Sequence, residues 1–215
     1  MRILVTGGAG FIGSHVCEHL LRRDHEVVVL DDLSTGFTSN IEHLPVTFIE
    51  GSITAPSAVS GAIEGADAVA HLAALGSVPR SINDPAATFH TNAVGTLNVL
   101  EAARAHGAHV TFASSSSVYG SVPTLPRTED LPTRPISPYG ASKLAAEALV
   151  LAYGSTYNMR NIVLRFFNVY GPRQRPEGPY AAVIPRFINA ALAGDAIDIH
   201  GSGEQSRDFT YVETV

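Results

Sequence analysis

A glycine-rich turn between an apolar run and an amphipathic segment constrains the fold of this chain more than any other feature. The turn, TGGAGFIGSH, covers residues 6–15 and places Gly7, Gly10 and Gly13 at a GxxGxxG spacing. Because glycine tolerates positive φ and has no side chain, such a turn lets the backbone approach a pyrophosphate. The following helix would present free N–H groups to the phosphates. The pattern predicts a dinucleotide-binding turn, with a plain strand-to-helix connection as the alternative.

Acidic residues end the second apolar run of the chain. The run EVVVL, residues 26–30, is followed by Asp31 and Asp32. An acid about 20 residues beyond the glycine turn commonly binds the adenosine ribose. A carboxylate there would repel a 2′-phosphate and no arginine follows it, so the sequence favours NAD over NADP. A loop-capping role for Asp31 is the alternative.

Apolar runs and amphipathic segments alternate along the first 168 residues. The runs are unbroken, which predicts strands buried on both faces, as in a parallel sheet. They cover residues 2–6, 26–30, 46–50, 67–73, 109–113 and 161–166, and the helical segments cover 11–24, 85–106 and 137–157. This order predicts an α/β fold, a Rossmann-type doubly wound parallel sheet, as an NAD-binding domain over residues 1–168.

The composition changes after residue 168. Residues 168–180, NVYGPRQRPEGPY, are rich in Pro, Gly and Arg and predict a loop, whereas AAVIPRFINAALAG predicts a helix. DIHGSG and RDFTYV predict strand ends with turns between them. We expect residues 169–215 to begin a substrate-binding lobe that is interleaved with the first domain and is incomplete at Val215.

Composition and charge argue against several classes of function. The 215 residues carry a formal net charge of −6 and no basic cluster, which disfavours nucleic-acid binding. No apolar stretch approaches the ~20 residues of a membrane span, and no signal peptide precedes the first strand. The single cysteine, Cys17, fits a reducing cytoplasm, and the nine histidines show no metal-binding spacing. The sequence predicts a cytoplasmic protein without a metal, a membrane or a nucleic-acid partner.

A tyrosine and a lysine stand four residues apart in the segment YGASK. Tyr139 and Lys143 fall within the helical segment 137–157, so they share one helix face. A phenol with a pKa near ~10 is a poor base at neutral pH, but a neighbouring ammonium favours the phenolate. The pair therefore suits general-base chemistry on a hydroxyl group. An ordinary surface Tyr–Lys pair is the alternative.

Several segments together match a known family. The chain resembles the extended short-chain dehydrogenases/reductases, and within them the UDP-hexose 4-epimerases. The matching segments are TGGAGFIG, LDDLSTG, HLAA, SSSSVYG, YGASK, RFFNVYGPRQ and GSGEQSRDFTYV, in the order of the family. The resemblance implies a catalytic set of Ser115, Tyr139 and Lys143. It also implies a homodimer formed through the helical segments 85–106 and 137–157.

The resemblance further implies which residues contact NAD. They are Gly7, Gly10, Phe11, Ile12, Gly13, Asp31, Asp32, Ser34, Ser52, Ile53, Leu72, Ala73, Ala74, Asn92, Ser114, Tyr139, Lys143, Phe166 and Val169. Ser114 would lie near the nicotinamide, and Asn92 would support the active-site tyrosine. Ser52 departs from the family, which has an acid there that binds the adenine amino group. We expect an adenine contact that is weaker or is made by backbone groups.

The same resemblance implies a UDP-sugar as the substrate. Its contacts would come from Gly76, Ser77, Ser115, Ser116, Tyr139, Asn168, Ala182, Val183 and Arg207. Asn168 would bind the diphosphate or the sugar, and Arg207 a phosphate, which a guanidinium suits. Ala182 and Val183 would contact the uridine. From the residues alone, the alternatives are a capping residue for Asn168, a surface ion-pair partner for Arg207, and helix core for the other two.

Residues next to the catalytic set narrow the reaction. Ser116 and Ser117 stand where related 4,6-dehydratases carry Asp-Glu, which disfavours water elimination. The segments ALGSVPRSINDP (74–85) and YAAVIPRF (180–187) resemble epimerases that accept N-acetylated sugars. Gly76 would leave room for such a sugar, or is a plain turn residue. His71, in HLAA, is interpreted as structural.

The predicted activity is NAD-dependent 4-epimerisation of a UDP-hexose through a transient 4-keto sugar. The candidate pairs are UDP-N-acetylglucosamine with UDP-N-acetylgalactosamine and UDP-glucose with UDP-galactose. A UDP-glucuronate 4-epimerase or decarboxylase is the alternative, because it would use the same catalytic set. A non-catalytic NAD-binding protein on the same fold is a further alternative, because a fold does not fix a function.

Overall fold

The computed structural model describes residues 1–175, 182–199 and 201–215. The contacts between residues divide the chain into two compact units, Met1–Phe166 and Phe167–Val215.

The first unit is built on a six-stranded sheet in which every pairing is parallel. Its strands are β1 (Arg2–Thr6), β2 (Glu26–Asp31), β3 (Thr47–Glu50), β4 (Ala68–His71), β5 (His109–Ser115) and β6 (Ile162–Phe166). They lie in the order β3-β2-β1-β4-β5-β6, so the strand order reverses between β1 and β4. Ligands of such sheets bind beyond the carboxyl ends of the strands at this reversal. The predicted α/β, doubly wound fold is confirmed.

Helices connect the strands of this sheet. They are α1 (Phe11–Leu21), α2 (Pro56–Ala62), α3 (Val78–Asn83), α4 (Pro85–Phe89), α5 (Gly95–His106) and α6 (Pro138–Tyr157), with 3₁₀ turns at Thr38–Asn40 and Ser116–Val118. Asp84 and Ser137 cap α4 and α6 by accepting backbone N–H groups, and a proline follows each cap. The predicted helix 85–106 is confirmed as a continuous helical run, and a π-helical turn, His90–Val94, lies within it between α4 and α5.

Apolar side chains of β1 and β2 are buried on both faces of the sheet, whereas Ile162 and Leu164 of the edge strand β6 are exposed, against the expectation for that run. On β1, Leu4 faces a core that includes Phe112 and Leu100, whereas Ile3 and Val5 face a second core. Both faces are covered by helices, which explains why the runs are unbroken rather than alternating. Cys17 is buried in the second core, on α1.

The second unit contains a short parallel strand pair and one helix. Strand β7 (Asn168–Tyr170) pairs with β8 (Phe209–Tyr211), a 3₁₀ turn covers Val212–Thr214, and the helix is α7 (Val183–Ala193). The helix predicted in AAVIPRFINAALAG is confirmed over its described part, as is the strand in RDFTYV. The loop predicted from residue 168 is wrong for residues 168–170, because they pair with a segment distant in sequence.

Parts of the sequence-based predictions lie outside the described residues. These are residues 176–181 of the predicted loop and of the segment YAAVIPRF, and residue 200 of DIHGSG. Over the described ranges, no helix has the length and apolar character needed to cross a membrane. Within the same ranges, no three His, Cys, Asp or Glu side chains group as metal ligands.

Candidate active site

The glycine turn packs its backbone against the strand end beside it. Gly7 has a φ of +73°, and a Cβ on it would lie 2.7 Å from the backbone nitrogen of Ala73. A Cβ on Gly13 would collide with the carbonyl oxygen of Gly7. Gly10 caps α1 without a side-chain hydrogen bond, so no side chain of its own covers the helix N-terminus. These glycines are required for a close backbone approach, both within the turn and toward a ligand.

Asp31 joins the end of β2 to the glycine turn. Its carboxylate accepts the N–H of Ala9 at 3.0 Å and the N–H of Leu33 at 2.9 Å. Burial raises the pKa of Asp31, and these two hydrogen bonds act in the opposite direction. The capping role is thus present, and a carboxylate has acceptor sites left for ribose hydroxyls. Asp32 is exposed and accepts the N–H of Ser34.

The structure brings the three predicted catalytic residues together at the carboxyl edge of the sheet. Ser115 is the last residue of β5, Tyr139 lies in the first turn of α6, and Lys143 follows one turn later. The Ser115 hydroxyl lies close enough to the Tyr139 phenol to act on its pKa, which it lowers. The Ser115 hydroxyl oxygen also accepts the N–H of Ser117 at 3.2 Å. Lys143 is buried, with Nζ 4.4 Å from the centre of the Phe112 ring.

The electrostatics of this set differ from the prediction made for the Tyr–Lys pair. Burial raises the pKa of Tyr139, and the Ser115 hydroxyl only opposes that rise. Burial also lowers the pKa of Lys143 from 10.5 to about 7, against the charge of Glu147. A lysine in this environment is only partly charged at neutral pH, so the predicted lowering of the Tyr139 pKa by Lys143 is not found. Loss of solvent outweighs the proximity of the two side chains.

Lys143 is the only lysine of the chain, which makes its titration directly measurable. In protein labelled at lysine, NMR should show one side-chain resonance with a titration midpoint near pH 7, as the lowered pKa requires. A midpoint near 10 would show that the ammonium is solvated. The Lys143→Met variant, which should lose this resonance, assigns it.

The same lowered pKa predicts how stability depends on pH. Between pH 7 and 10.5 the folded protein binds fewer protons at Lys143 than the unfolded protein does, so stability should rise with pH through this window. Below about pH 7 the cost of burying the ammonium is fully present. Urea unfolding at pH 7 and pH 9 should show this rise in the wild type and a smaller one in Lys143→Met. Equal pH dependence in both proteins would contradict the assignment.

A buried ion pair that the motifs did not reveal lies one helical turn beyond Lys143. Glu147, one turn after Lys143, forms a salt bridge with Arg165 of β6 at 2.6 Å, and its side chain is 3% exposed. It also accepts a hydrogen bond from the Ser114 hydroxyl at 2.7 Å. The i, i+4 spacing of positions 139, 143 and 147 indicates that this acid shares a face of α6 with Tyr139 and Lys143. No local pattern in the sequence predicted that its partner would be Arg165 on β6.

Asn92 lies in the π-helical turn and links two segments of the site. Its side chain accepts the N–H of Leu75 at 2.8 Å and donates to the carbonyl of Leu75 at 3.2 Å. It also donates to Ser142 Oγ at 3.0 Å, and Ser142 donates to the carbonyl of Tyr139 at 2.8 Å. Asn92 thus supports the backbone of the tyrosine, while its contact with NAD stays a prediction.

Other predicted contact residues of the first unit have protein partners. The Ser52 hydroxyl interacts with Thr54 Oγ1 at 3.0 Å, and Ser77 caps α3 by accepting the N–H of Arg80. The hydroxyl hydrogen of Ser114 is directed to Glu147. The remaining ones lie at the carboxyl edge of the sheet or beside it. Phe11 and Ile12 begin α1, Ile53 packs under Gly95, and Leu72, Ala73 and Ala74 follow β4. Ser116 follows β5, and Phe166 ends β6. Their ligand contacts remain predictions.

The predicted contact residues of the second unit lie on its strand pair, its helix and the segment between them. Asn168 begins β7 and donates to the carbonyl of Asp208 at 2.9 Å, and Val169 is the next residue of that strand. Arg207 is exposed and donates to the carbonyl of Ser206. Ala182 and Val183, the cap and first residue of α7, are both exposed, which disfavours the helix-core interpretation. Their contacts with a substrate also remain predictions.

Taken together, the residues at the strand reversal fit NAD. The turn has no Cβ where a phosphate would lie, α1 begins without a side-chain cap, and Asp31 stands at the end of the neighbouring strand. These features are the ones that a dinucleotide with a free ribose 2′-hydroxyl requires.

Comparisons with known proteins agree with this geometry. Residues 3–215 match the NAD dependent epimerase/dehydratase family. The chain is 40% identical to a UDP-glucose 4-epimerase of Mycolicibacterium smegmatis, over all of this chain and 71% of the relative. It is 38% identical to a UDP-N-acetyl-alpha-D-glucosaminuronate decarboxylase of Bacillus cytotoxicus, over 98% of this chain and 67% of the relative.

A solved structure is similar over nearly the whole chain. It is that of UDP-N-acetylglucosamine 4-epimerase from Methanobrevibacter ruminantium in complex with UDP-N-acetylmuramic acid, with a TM-score of 0.94 and 40% identity. The match covers 99% of this chain and 69% of that one. The chain therefore belongs to the NAD dependent epimerase/dehydratase family, which confirms the predictions of an enzyme and of NAD as its cofactor.

Proposed function

We propose that the protein catalyses 4-epimerisation of a UDP-hexose through a transient 4-keto sugar. The placement of Ser115 beside Tyr139, one helical turn from the buried Lys143, is the observation that carries this proposal. Such a set can move a proton to and from a sugar hydroxyl without a metal. The epimerase names of relatives at about 40% identity support the same reaction.

The chain's own residues would handle the proton of the reaction. Bound NAD would supply the hydride acceptor for C4 and return the hydride to it. Tyr139 in its phenolate form would take the proton of the sugar 4-hydroxyl, becoming a neutral phenol, and would return that proton to the oxygen after the sugar has turned over. Ser115 would donate a hydrogen bond to the phenolate or to the sugar oxygen, because its own oxygen is held by the N–H of Ser117. Lys143 would stabilise the phenolate to the extent that it is charged.

The proposed substrate is a UDP-hexose that carries or lacks an N-acetyl group. Gly76 supports the larger sugar, because a Cβ at this position would meet no atom of the described residues within 4 Å. Contacts of Asn168 and Arg207 with the diphosphate, and of Ala182 and Val183 with the uridine, belong to this proposal. So does the assignment of residues 1–168 to cofactor binding and of residues 169–215 to a substrate lobe.

Decarboxylation of a UDP-uronate is the second candidate, because a decarboxylase is among the relatives. The two reactions share oxidation at C4 and differ in the fate of the 4-keto sugar. Loss of CO₂ from C6 would leave a UDP-pentose, whereas epimerisation inverts C4.

One experiment separates these reactions. The protein is incubated with NAD and an equimolar mixture of UDP-glucose, UDP-N-acetylglucosamine and UDP-glucuronate, and sugar protons are followed by NMR. New galacto-configured signals are expected, and the fastest to grow identifies the preferred substrate. A UDP-pentose signal would establish decarboxylation instead. No conversion of any sugar would reject catalysis and favour an NAD-binding protein.

We also propose that the protein is a homodimer formed through the outer faces of α5 and α6. Leu151 of α6 supports this proposal because it is 53% exposed on a helix of 20 residues. The Leu151→Glu variant should sediment as a monomer at concentrations at which the wild type is dimeric. A monomeric wild type, or a dimeric variant, would contradict this interface.

A further inference from the structure

A network of hydrogen bonds between buried side chains crosses the carboxyl edge of the sheet from β1 to α5. Its centre is His71, the last residue of β4, whose side chain is fully buried. Its Nδ1 lies 2.7 Å from Thr6 Oγ1, and its Nε2 lies 2.9 Å from Thr96 Oγ1. The proton transfer proposed above does not use this imidazole, so its burial calls for a separate explanation.

The two threonines determine the tautomer of His71. The Thr96 hydroxyl donates its only hydrogen to the carbonyl of Asn92 at 2.6 Å, so it can only accept from Nε2. Nε2 therefore carries the proton, and Nδ1 of the neutral ring accepts from the Thr6 hydroxyl. The Thr6 oxygen in turn accepts the N–H of Ala73 at 3.3 Å. Every donor in this hydrogen-bond network thus has an acceptor, and this holds for only one tautomer of His71.

The surroundings keep the imidazole neutral. Burial, with the charge of Lys143 as the smaller cause, lowers the pKa of His71 to about 3. The centre of the Phe112 ring lies 5.5 Å from that of His71 and 4.4 Å from Lys143 Nζ. A protonated ring would donate to Thr6 and leave the hydroxyl hydrogen of Thr6 without its acceptor.

The bond from Thr96 supports the π-helical turn. In this turn the N–H of Gly95 reaches back five residues to the carbonyl of His90. Such turns are rare and occur mostly at functional sites. The Thr96 hydroxyl donates to the carbonyl of Asn92 inside the turn. The side chain of Asn92 in turn binds the backbone of Leu75 and, through Ser142, supports the backbone of Tyr139.

We propose that His71 is a positioning residue: as the Nε2–H tautomer it orients the Thr96 hydroxyl, which holds the π-helical turn that carries Asn92. The same ring holds Thr6 and through it Ala73, which packs against Gly7. The imidazole therefore couples the strand end beside the glycine turn to the backbone of Tyr139. The effect on catalysis rests on the proposed epimerisation, whereas the structural coupling does not.

A matched pair of variants at position 96 tests the coupling. Thr96→Val keeps the shape of the side chain and removes the hydroxyl, whereas Thr96→Ser keeps the hydroxyl. With the UDP-sugar that the wild type converts, Thr96→Val should lower kcat at least about tenfold with little change in KM, because the tyrosine is misplaced. Thr96→Ser should stay close to the wild type. His71→Leu should resemble Thr96→Val, and the double variant should be no worse than either.

Two further measurements do not depend on activity. The ¹⁵N resonances of His71 should show a protonated Nε2 and an unprotonated Nδ1, unchanged between pH 5 and pH 8. Hydrogen exchange at the Leu75 amide should be faster in Thr96→Val than in Thr96→Ser. Val27→Ala, a truncation in the second core near the amino end of β2, controls for lost stability and should leave both kcat and this exchange unchanged.

The outcomes separate the two proposals. If the wild type converts no sugar, the proposed function fails, and the exchange and tautomer data still decide the coupling. If Thr96→Val and Thr96→Ser match in both kcat and amide exchange, His71 is not a positioning residue, whether or not His71→Leu folds. The opposite tautomer would overturn the proposal as well.

Discussion

Tyr139→Phe should lower kcat by at least about 10²-fold while leaving NAD binding intact. The substitution removes only the phenolic oxygen, which is the group proposed to exchange a proton with the sugar 4-hydroxyl. Ser115 should remain in place because its oxygen still accepts the N–H of Ser117. Initial rates by NMR, together with NAD recovered after denaturation, measure the two quantities separately.

Tyr157→Phe is the matched control for this loss. Tyr157 is the last residue of α6, at the opposite end of the same helix, and its side chain is 48% exposed. We expect its kcat to equal that of the wild type. Normal turnover by Tyr139→Phe would reject the phenol as the proton acceptor, and a loss of NAD in that variant would make it a binding residue instead.

Glu147→Gln should destabilise the protein by about 3 kcal/mol, the second large effect. The change leaves the Arg165 guanidinium without its counter-charge in a site where the side chain is only 17% exposed. Removing one partner of a buried pair costs about 3–5 kcal/mol, and the partial exposure of Arg165 places the value at the lower end. Arg165 keeps its hydrogen bond to Tyr119, which does not replace the lost charge.

The free energy of unfolding in urea measures this effect. Arg22→Gln, which breaks the exposed i, i+4 pair with Glu18, should change stability very little. Replacing both Glu147 and Arg165 by leucine should recover much of the loss, because no unpaired charge is then buried. A loss in Glu147→Gln no larger than that in Arg22→Gln would show that the buried pair contributes little.

Features that depend on neighbouring residues were predicted from the sequence, and features that depend on distant partners were not. The glycine turn, Asp31 and the Tyr139–Lys143 spacing are local patterns, and the structure places them at one edge of the sheet. Strand β7 forms only because it pairs with β8, some 40 residues later, and its Pro- and Gly-rich continuation suggested a loop.

The pKa values of the site residues could not be predicted from local sequence patterns either. The pKa of Lys143 depends on how deeply several elements bury it, whereas the i, i+4 spacing shows only that it shares a face with Tyr139. The π-helical turn likewise depends on the hydrogen bond that Thr96 donates to the carbonyl of Asn92, which a helix-forming sequence pattern does not predict. His71, interpreted as structural from its motif, has both nitrogens engaged in the same network.

The separation of the chain into two units has a consequence for how such enzymes diversify. Ser115, Tyr139 and Lys143 all lie within the first unit, whereas four of the proposed substrate contacts lie in the second. Under the proposed function, substitutions at these four positions should change which sugar is bound, while the reactive groups themselves stay the same. We therefore expect new sugar preferences to arise by drift and selection in one region, while the proposed oxidation step is inherited unchanged.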